Sequence, residues 1–336
     1  MAGSVVCFGE LLLRLTAPGR ELLLQTPRLD VHIGGAEANV AVGLACLGHS
    51  TRVVSRVPDN ALGEAAIGYL RRYGVDASAV STGAGRMGLY FLSPGAGLRA
   101  SEIVYDREGS SFALATSGDF DWDRLLEGAD LFHISGISPA LGPASAEVAI
   151  AAAEAAAAKG VRISFDGNYR AQLWQRWESD PKSILTRLVS KADILFGNHR
   201  DISLLLGISY SGEGETRRRE AAEAAFAAFP KLRLIASTAR HVVDADTHRI
   251  SARVDSREES AQTEEVAVSG IIDRIGGGDA FAAGVLHGTQ TGRDLDWTAR
   301  SGLAVTALKH SLPGDASLFA PRDIEAFLAG ELDVRR

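Results

Sequence analysis

Cysteine is nearly missing from this chain: Cys7 and Cys46 are the only two in 336 residues. One falls in an apparent strand and the other in an apparent helix, so neither a disulfide framework nor a cysteine-held metal is supported, and both read as small core residues. Long apolar runs are missing as well. None approaches the ~20 residues needed to span a bilayer, and no basic region followed by a long apolar core opens the chain. The expectation is a cytoplasmic protein with no membrane partner. Positive charge is sparse. The formal net charge is −7 and the longest basic cluster is Arg217-Arg218-Arg219, which argues against a nucleic-acid partner. An anionic ligand would need a local positive site, and screening beyond ~8 Å permits one on an acidic protein. Familiar motifs are absent too. Without Gly-x-x-x-x-Gly-Lys-Ser/Thr there is no P-loop kinase. Gly34-Gly35 lacks the Gly-x-Gly-x-x-Gly spacing and does not directly follow the first strand, which weakens a dinucleotide-binding reading. Gly-x-Ser-x-Gly is absent, and the eight histidines are scattered.

What is present is enough apolar residue for a large core: 46% hydrophobic against 23% charged, read as one big domain with an appendage. Ser4 to Gly9 is a short β-rich run suited to a buried central strand. Leu11 to Thr16 and Leu29 to Ile33, separated by Pro18, Gly19 and Pro27, suit a small outlying sheet. Gly34-Gly35 then opens an Ala-rich helix that stops at Gly48. Asn39 lies one turn in, either facing a ligand cleft or satisfying neighbouring backbone. A strand at Thr51 to Val57 and a helix at Leu62 to Tyr73 start a βαβ rhythm. Met87 to Leu92 and Glu102 to Tyr105 break it as a hairpin carrying Tyr90, Tyr105 and Arg107, the last two on one face; a solvated surface arginine is the plainer reading of Arg107.

From Asp130 the alternation resumes, with strands at Leu131 to Ile134, Val161 to Phe165, Ile194 to Phe196 and Leu232 to Ser237. The clearest helix is the run Ala144 to Lys159. This pattern implies a mostly parallel sheet covered by helices on both faces, with ligands beyond the carboxyl ends of its strands. Residues just after strands thereby become candidate cleft residues: Asp166, Asn168, Arg170, Asn198, Asp201, Thr238 and Arg240. Each alone could be a cap or a surface group. If Arg107 and Arg170 face one cleft, two guanidinium groups meet a small ligand, which suits a carboxylate or phosphate. Ser256 to Thr263, the most polar patch, reads as a loop between strands.

Late in the chain comes Asp273-Arg-Ile-Gly-Gly-Gly-Asp-Ala-Phe-Ala-Ala-Gly284. Gly276, Gly277 and Gly278 let the backbone bring N–H groups against an anion, and Asp279 falls in the first turn of a buried helix, where a carboxylate is expected to be held ionised. Such a carboxylate can accept a proton from an attacking hydroxyl; the plain alternative is a helix cap. Helices are expected from Asp279 to about Gln290, from Asp294 to Lys309, and from Pro321 to about Leu328.

These motifs resemble the ribokinase-like (PfkB) family of sugar kinases over essentially the whole chain. The match rests on Gly34-Gly35-Ala36-Glu37-Ala38-Asn39 with Gly48 downstream, and on Asp273 through Gly284. The resemblance implies a three-layer α/β/α fold over residues 1–336 with a mostly parallel central sheet, and a small β lid from segments about 11–33 and 87–108. It implies Asp279 as the base, the N–H groups of 276–279 as an anion hole, and ATP with Mg²⁺. Asn198 and Asp201 match the family's Asn-x-x-Glu element near the metal, with a shorter acid here. Within the family, the features most resemble 2-keto-3-deoxygluconate kinases. These are Tyr90, Tyr105-Asp106-Arg107, Asp166-x-Asn168-Tyr169-Arg170 with Leu173-Trp174, and Lys309-His310 leading into Pro313-Gly314-Asp315. By that likeness Gly34, Gly35, Asn39, Tyr90, Tyr105, Arg107 and Arg170 hold a sugar acid, while Asn168, Asn198, Thr238, Arg240, Gly276, Gly278 and His310 border the nucleotide. A monovalent cation near the Asp273 loop and a homodimer through the lid belong to the same expectation. Two departures stand out. Ser237-Thr238-Ala239-Arg240-His241 replaces Thr-Leu-Arg-Glu, and Ser93-Pro94 follows Tyr90 where an acid is usual. The rival readings are a kinase of a neutral ketose such as fructose, and a silent sugar-acid-binding regulator.

Overall fold

In a computed structural model, residues 4–210 and 214–331 are described. The strands among them are β1 (Ser4–Phe8), β2 (Leu12–Thr16), β3 (Asp30–Gly34), β4 (Thr51–Pro58), β5 (Val80–Gly83), β6 (Gly88–Ser93) and β7 (Glu102–Asp106). The later ones are β8 (Ala129–Ser135), β9 (Arg162–Asp166), β10 (Ile194–Phe196), β11 (Leu234–Asp244), β12 (Thr247–Ser256), β13 (Ser260–Gln262) and β14 (Val266–Ser269).

The central sheet runs β13-β12-β11-β10-β9-β8-β1-β4-β5, with β14 also on β12. From β11 to β5 every pair is parallel, and β12, β13 and β14 add antiparallel strands at one edge. β1 shows why this is a covered sheet. Side chains alternate across a strand, and here both sets are buried. Val6 and Phe8 join Phe132, Ile134, Phe165 and Leu195 in one core. Val5 and Cys7 join Leu131, Val40, Leu44, Phe281 and Leu286 in the other. Helix Pro143–Ala158 contributes to the first core, and helices Ala36–Cys46, Gly277–Gln290 and Leu295–Lys309 to the second. Each apolar side chain of this kind contributes roughly 1.5–3 kcal/mol on burial, so the two faces fix the sheet's register independently.

A second sheet runs β3-β2-β6-β7. β6 and β7 form the expected hairpin, with Tyr90 opposite Tyr105. β2 and β6 pair in parallel, Leu12 with Gly88 through Thr16 with Leu92. Two expected boundaries move. Ser237 to Arg240, expected beyond a strand end, lie within one: β11 continues to Asp244, because β12 returns antiparallel along its whole length from Leu234↔Ser256 to Asp244↔Thr247. The polar stretch 256–263 is not all loop: β13 pairs with β12 through Arg253↔Gln262 to Asp255↔Ser260. No helix among the described residues is long and apolar enough to cross a membrane.

Candidate active site

Beyond the carboxyl ends of β9 and β10, alongside residues 236–240 of β11 and facing the second sheet, lies a cleft of about 940 Å³. Helix Gly277–Gln290 starts at its floor. Gly276 caps the helix with φ +76°, and a Cβ there would lie 1.7 Å from the Asp315 carbonyl oxygen, so only glycine fits. The first N–H groups of a helix have no acceptor within it, and here they border the cleft at Gly277, Gly278 and Asp279. Gly35 stands opposite, at the start of helix Ala36–Cys46, with φ +142° and with a Cβ position 2.2 Å from the Glu10 carbonyl oxygen.

Asn39 resolves toward the cleft: its Nδ2 donates to Asp279 Oδ2 at 2.7 Å. Asp279 is not held ionised as its helix position suggested. Burial, with the negative neighbours Asp166, Asp315 and Glu37, pushes its carboxyl up to about 8, against the lowering effect of the Asn39 bond. Desolvation outweighs the helix terminus. Asp166 is raised to about 7, chiefly by burial, with Arg170 opposing and Asp201 reinforcing. Asp201 is also raised by burial, although its Oδ2 accepts the Asn198 N–H at 2.8 Å in a capping box at the start of helix His199–Leu206. On the basic side, burial and then the nearby Arg274 lower Arg240. The cleft thus sets carboxylates short of cations beside guanidinium groups short of anions.

Most of the sequence-derived residues meet in this cleft: Gly35, Asn39, Tyr90, Tyr105, Arg107, Asn168, Arg170, Asn198, Asp201, Thr238, Arg240, Gly276, Gly277, Gly278 and Asp279 line it. Thr238 and Arg240 do so from a strand, two residues apart and hence on one face. Two others stand behind it. Gly34 ends β3 against Asp315, whose Oδ2 would lie 2.4 Å from a Cβ there. His310 is buried behind Gly277, its Nδ1 2.7 Å from the Thr306 carbonyl oxygen.

Arg107 is not the solvated arginine of an exposed hairpin. It is 4% exposed and its Nε and Nη2 both donate to Glu10 Oε2 at 2.5 Å. Glu10, just after β1, had no signal in the sequence because its partner lies far along the chain. Tyr90 is buried and donates its hydroxyl to Asp315 Oδ2 at 2.6 Å. Arg170, by contrast, is exposed at the cleft wall, donating to the Tyr169 carbonyl oxygen at 3.0 Å. Arg274, also overlooked, lines the cleft and reaches Ser101 Oγ at 3.4 Å. Its position inside the Asp273–Gly284 stretch was the available clue.

A glycine-started helix with a buried carboxylate in its first turn, opening onto a cleft between a covered parallel sheet and a small second sheet, describes a phosphotransferase of the ribokinase-like kind. The family description "pfkB family carbohydrate kinase" matches residues 2–321, and the chain belongs to that family. Among solved structures, it is similar to a 2-dehydro-3-deoxygluconokinase from Thermotoga maritima, with 36% identity, TM-score 0.93, and 98% of this chain and 100% of that one covered. A PfkB family carbohydrate kinase from Listeria grayi shares 38% identity at TM-score 0.91 over 97% of this chain and 99% of that one. A 2-dehydro-3-deoxygalactonokinase from Haloferax volcanii is 29% identical over 334 residues, 98% of each chain.

Proposed function

We propose that this chain transfers the γ-phosphoryl group of ATP to the terminal hydroxyl of 2-keto-3-deoxygluconate. The observation that carries the reading is the Asn39–Asp279 pair beside the glycine-started helix, in a cleft that also holds Arg107 and Arg170. Asp279 accepts the hydroxyl proton as the sugar oxygen attacks the γ-phosphorus, and the bond to the bridging oxygen breaks with its electron pair going to ADP. The N–H groups of Gly277, Gly278 and Asp279 face the charge that builds on the transferred group, while Arg240 and Arg274 supply positive charge along the polyphosphate. Asp166 and Asp201 fit Mg²⁺: both are carboxylates on the cleft wall, both pushed up by burial. Among the described residues no group of three or more His, Cys, Asp or Glu side chains could hold a metal, as suits an ion carried mainly by phosphates and water. When bound, Mg²⁺ neutralises phosphate charge. The second sheet acts as the lid, one face of β7 turning Ile103 and Tyr105 to the cleft while Val104 on the other is 46% exposed. That outer face is where we place pairing of two copies.

One observation favours a second reading. Glu10 already neutralises Arg107, which leaves Arg170 as the less committed guanidinium and makes a neutral ketose such as fructose the rival substrate. ADP release with 2-keto-3-deoxygluconate, its galactonate-derived epimer and fructose separates the readings, and turnover of fructose alone overturns the sugar-acid assignment. Arg170→Ala is the sharper arm. It should cost one charge-assisted contact, ~1.5–3 kcal/mol or roughly ten- to a hundredfold in kcat/KM, with keto acids and little with fructose. Equal losses would remove the carboxylate role.

A further inference from the structure

Behind the anion-hole loop lies a buried group of charges that the transfer step does not use. Asp273 Oδ2 accepts from Arg14 Nη2 at 2.5 Å and from the Gly314 N–H at 3.1 Å. Its Oδ1 accepts the Ile275 N–H at 3.0 Å. Arg14 Nε is also 3.1 Å from Asp315 Oδ1. Arg14 and Lys309 are both 0% exposed. Lys309 ends helix Leu295–Lys309, and its Nζ donates to two backbone carbonyl oxygens, Asp273 at 3.3 Å and Leu312 at 3.1 Å. The His310 carbonyl oxygen accepts the N–H groups of Ile272 and Asp273 at 2.9 and 3.3 Å. Gly276 meanwhile sits directly on the Asp315 carbonyl. Segments 272–276 and 309–315 are therefore one unit, with the ammonium stitching one to the other.

A monovalent cation, which the resemblance implies for this loop, does not fit these residues. Such an ion is held where carbonyl oxygens replace its hydration shell. Here the carbonyls of Asp273 and Leu312 are already taken by Lys309, and the two carboxylates of Asp273 and Asp315 are matched by two fixed cations, Arg14 and Lys309. We propose that the Lys309 ammonium is the built-in cation of this loop, holding the Gly276–Asp279 turn in its anion-binding shape and making phosphoryl transfer independent of potassium or sodium. Burial chiefly, and the neighbouring Arg14, lower the Lys309 ammonium, while Asp273, Asp315 and Asp279 oppose that effect. A compact ammonium with three donors suits the place better than a planar guanidinium. The proposal makes Lys309 a positioning residue: it touches neither sugar nor nucleotide.

The inference rests on the kinase activity, so the experiment begins with ADP release by the full chain at saturating Mg-ATP and sugar acid; no release under any salt would sink the kinase reading itself. In buffer whose only monovalent cation is tetramethylammonium, replacing it by potassium at constant ionic strength should leave kcat unchanged within about twofold. Stimulation of about tenfold, equivalent to about 1.4 kcal/mol of barrier, overturns the proposal. Lys309→Ala leaves room for an ion. Its kcat should fall at least about tenfold with the KM for sugar little changed, and potassium or methylammonium should restore it. The same salts should raise the unfolding midpoint of Lys309→Ala and not that of the unaltered protein, because a ligand that binds only the folded state stabilises it. A Lys309→Ala chain that is fully active without added cation, or inactive and indifferent to every cation in both assays, refutes the idea. Should that variant fail to fold, the potassium titration of the unaltered protein still decides.

Discussion

Removing the Asn39 amide tests the electrostatics of the cleft more directly than removing the carboxylate it serves. Asn39 Nδ2 donates to Asp279 Oδ2 at 2.7 Å, and this bond holds the Asp279 carboxyl below the level that burial and its acidic neighbours would otherwise set. Asn39 Oδ1 is buried without a hydrogen-bond partner, so Asn39→Ala sacrifices a single bond. A hydrogen bond to a charged group contributes ~1.5–3 kcal/mol, and one pKa unit is 1.36 kcal/mol, so the Asp279 carboxyl should rise by roughly one to two units. The dependence of kcat/KM on pH reports the essential base of the free enzyme. It should climb to a plateau above an acid limb set by Asp279, near 8 in the unaltered protein. In Asn39→Ala that limb moves to higher pH. At pH 7 both forms lie below it, so the ionised fraction, and kcat/KM with it, drops about ten- to a hundredfold; the two profiles converge as the pH approaches about 10. ADP release followed against pH with sugar acid below KM is the assay. A uniform loss at every pH, with the limb unmoved, would falsify the reasoning and leave Asn39 as a spacer.

Asp279→Asn should lower kcat by roughly 10²–10⁴-fold with the circular dichroism spectrum unchanged. It should also change how stability depends on pH. A carboxyl whose folded pKa is raised from 3.8 to about 8 contributes stability below pH 3.8 that is lost as pH rises toward 8. The unfolding midpoint of Asp279→Asn should therefore exceed that of the parent at pH 8 and match it near pH 3.5; equal midpoints throughout would contradict the buried, proton-holding state. Gly276→Ala puts a Cβ 1.7 Å from the Asp315 carbonyl oxygen, so turnover should vanish and denaturant resistance fall; a fully active variant would mean that the loop has another shape. Arg107→Ala leaves Glu10 buried and unpaired, which should destabilise the fold by ~3–5 kcal/mol in urea titration. For that reason lost activity in Arg107→Ala says little about carboxylate recognition, and Arg170→Ala says more.

How much of this was legible in the sequence follows from the range of the interactions concerned. The glycine triplet and Asp279 form a local pattern, and the alternating strands and helices encode a covered parallel sheet through composition alone. Placing Asp166, Asn198 and Asp201 needed only the rule that ligands lie beyond strand ends. Glu10 with Arg107, and Arg14 with Asp273 and Asp315, had no such signature: each pair joins distant segments, and a buried charge looks like a surface charge until its partner is known. β11 was cut short at Ser237 because its continuation, rich in polar residues, is sustained by pairing with β12 rather than by apolar burial. His310 belonged to a recognisable motif, but its ring bonds backwards to the Thr306 carbonyl within its own helix turn, so the motif marks support for the loop instead of a cleft wall.

The Asn39–Asp279 bond spans 240 positions. Helix Ala36–Cys46 and helix Gly277–Gln290 share one buried cluster, with Val40, Ala41 and Leu44 against Phe281, Ala282 and Val285. Until the second helix leaves the ribosome, the first has an uncovered apolar face, and no shorter nascent chain holds the Gly276–Asp279 turn or Lys309. Domains complete their cores as units during synthesis, and exposed apolar surface in the interim invites aggregation. This chain therefore emerges as a long precursor whose cleft is completed only by its last segments, and chaperone demand should concentrate in the interval before residue 290 emerges.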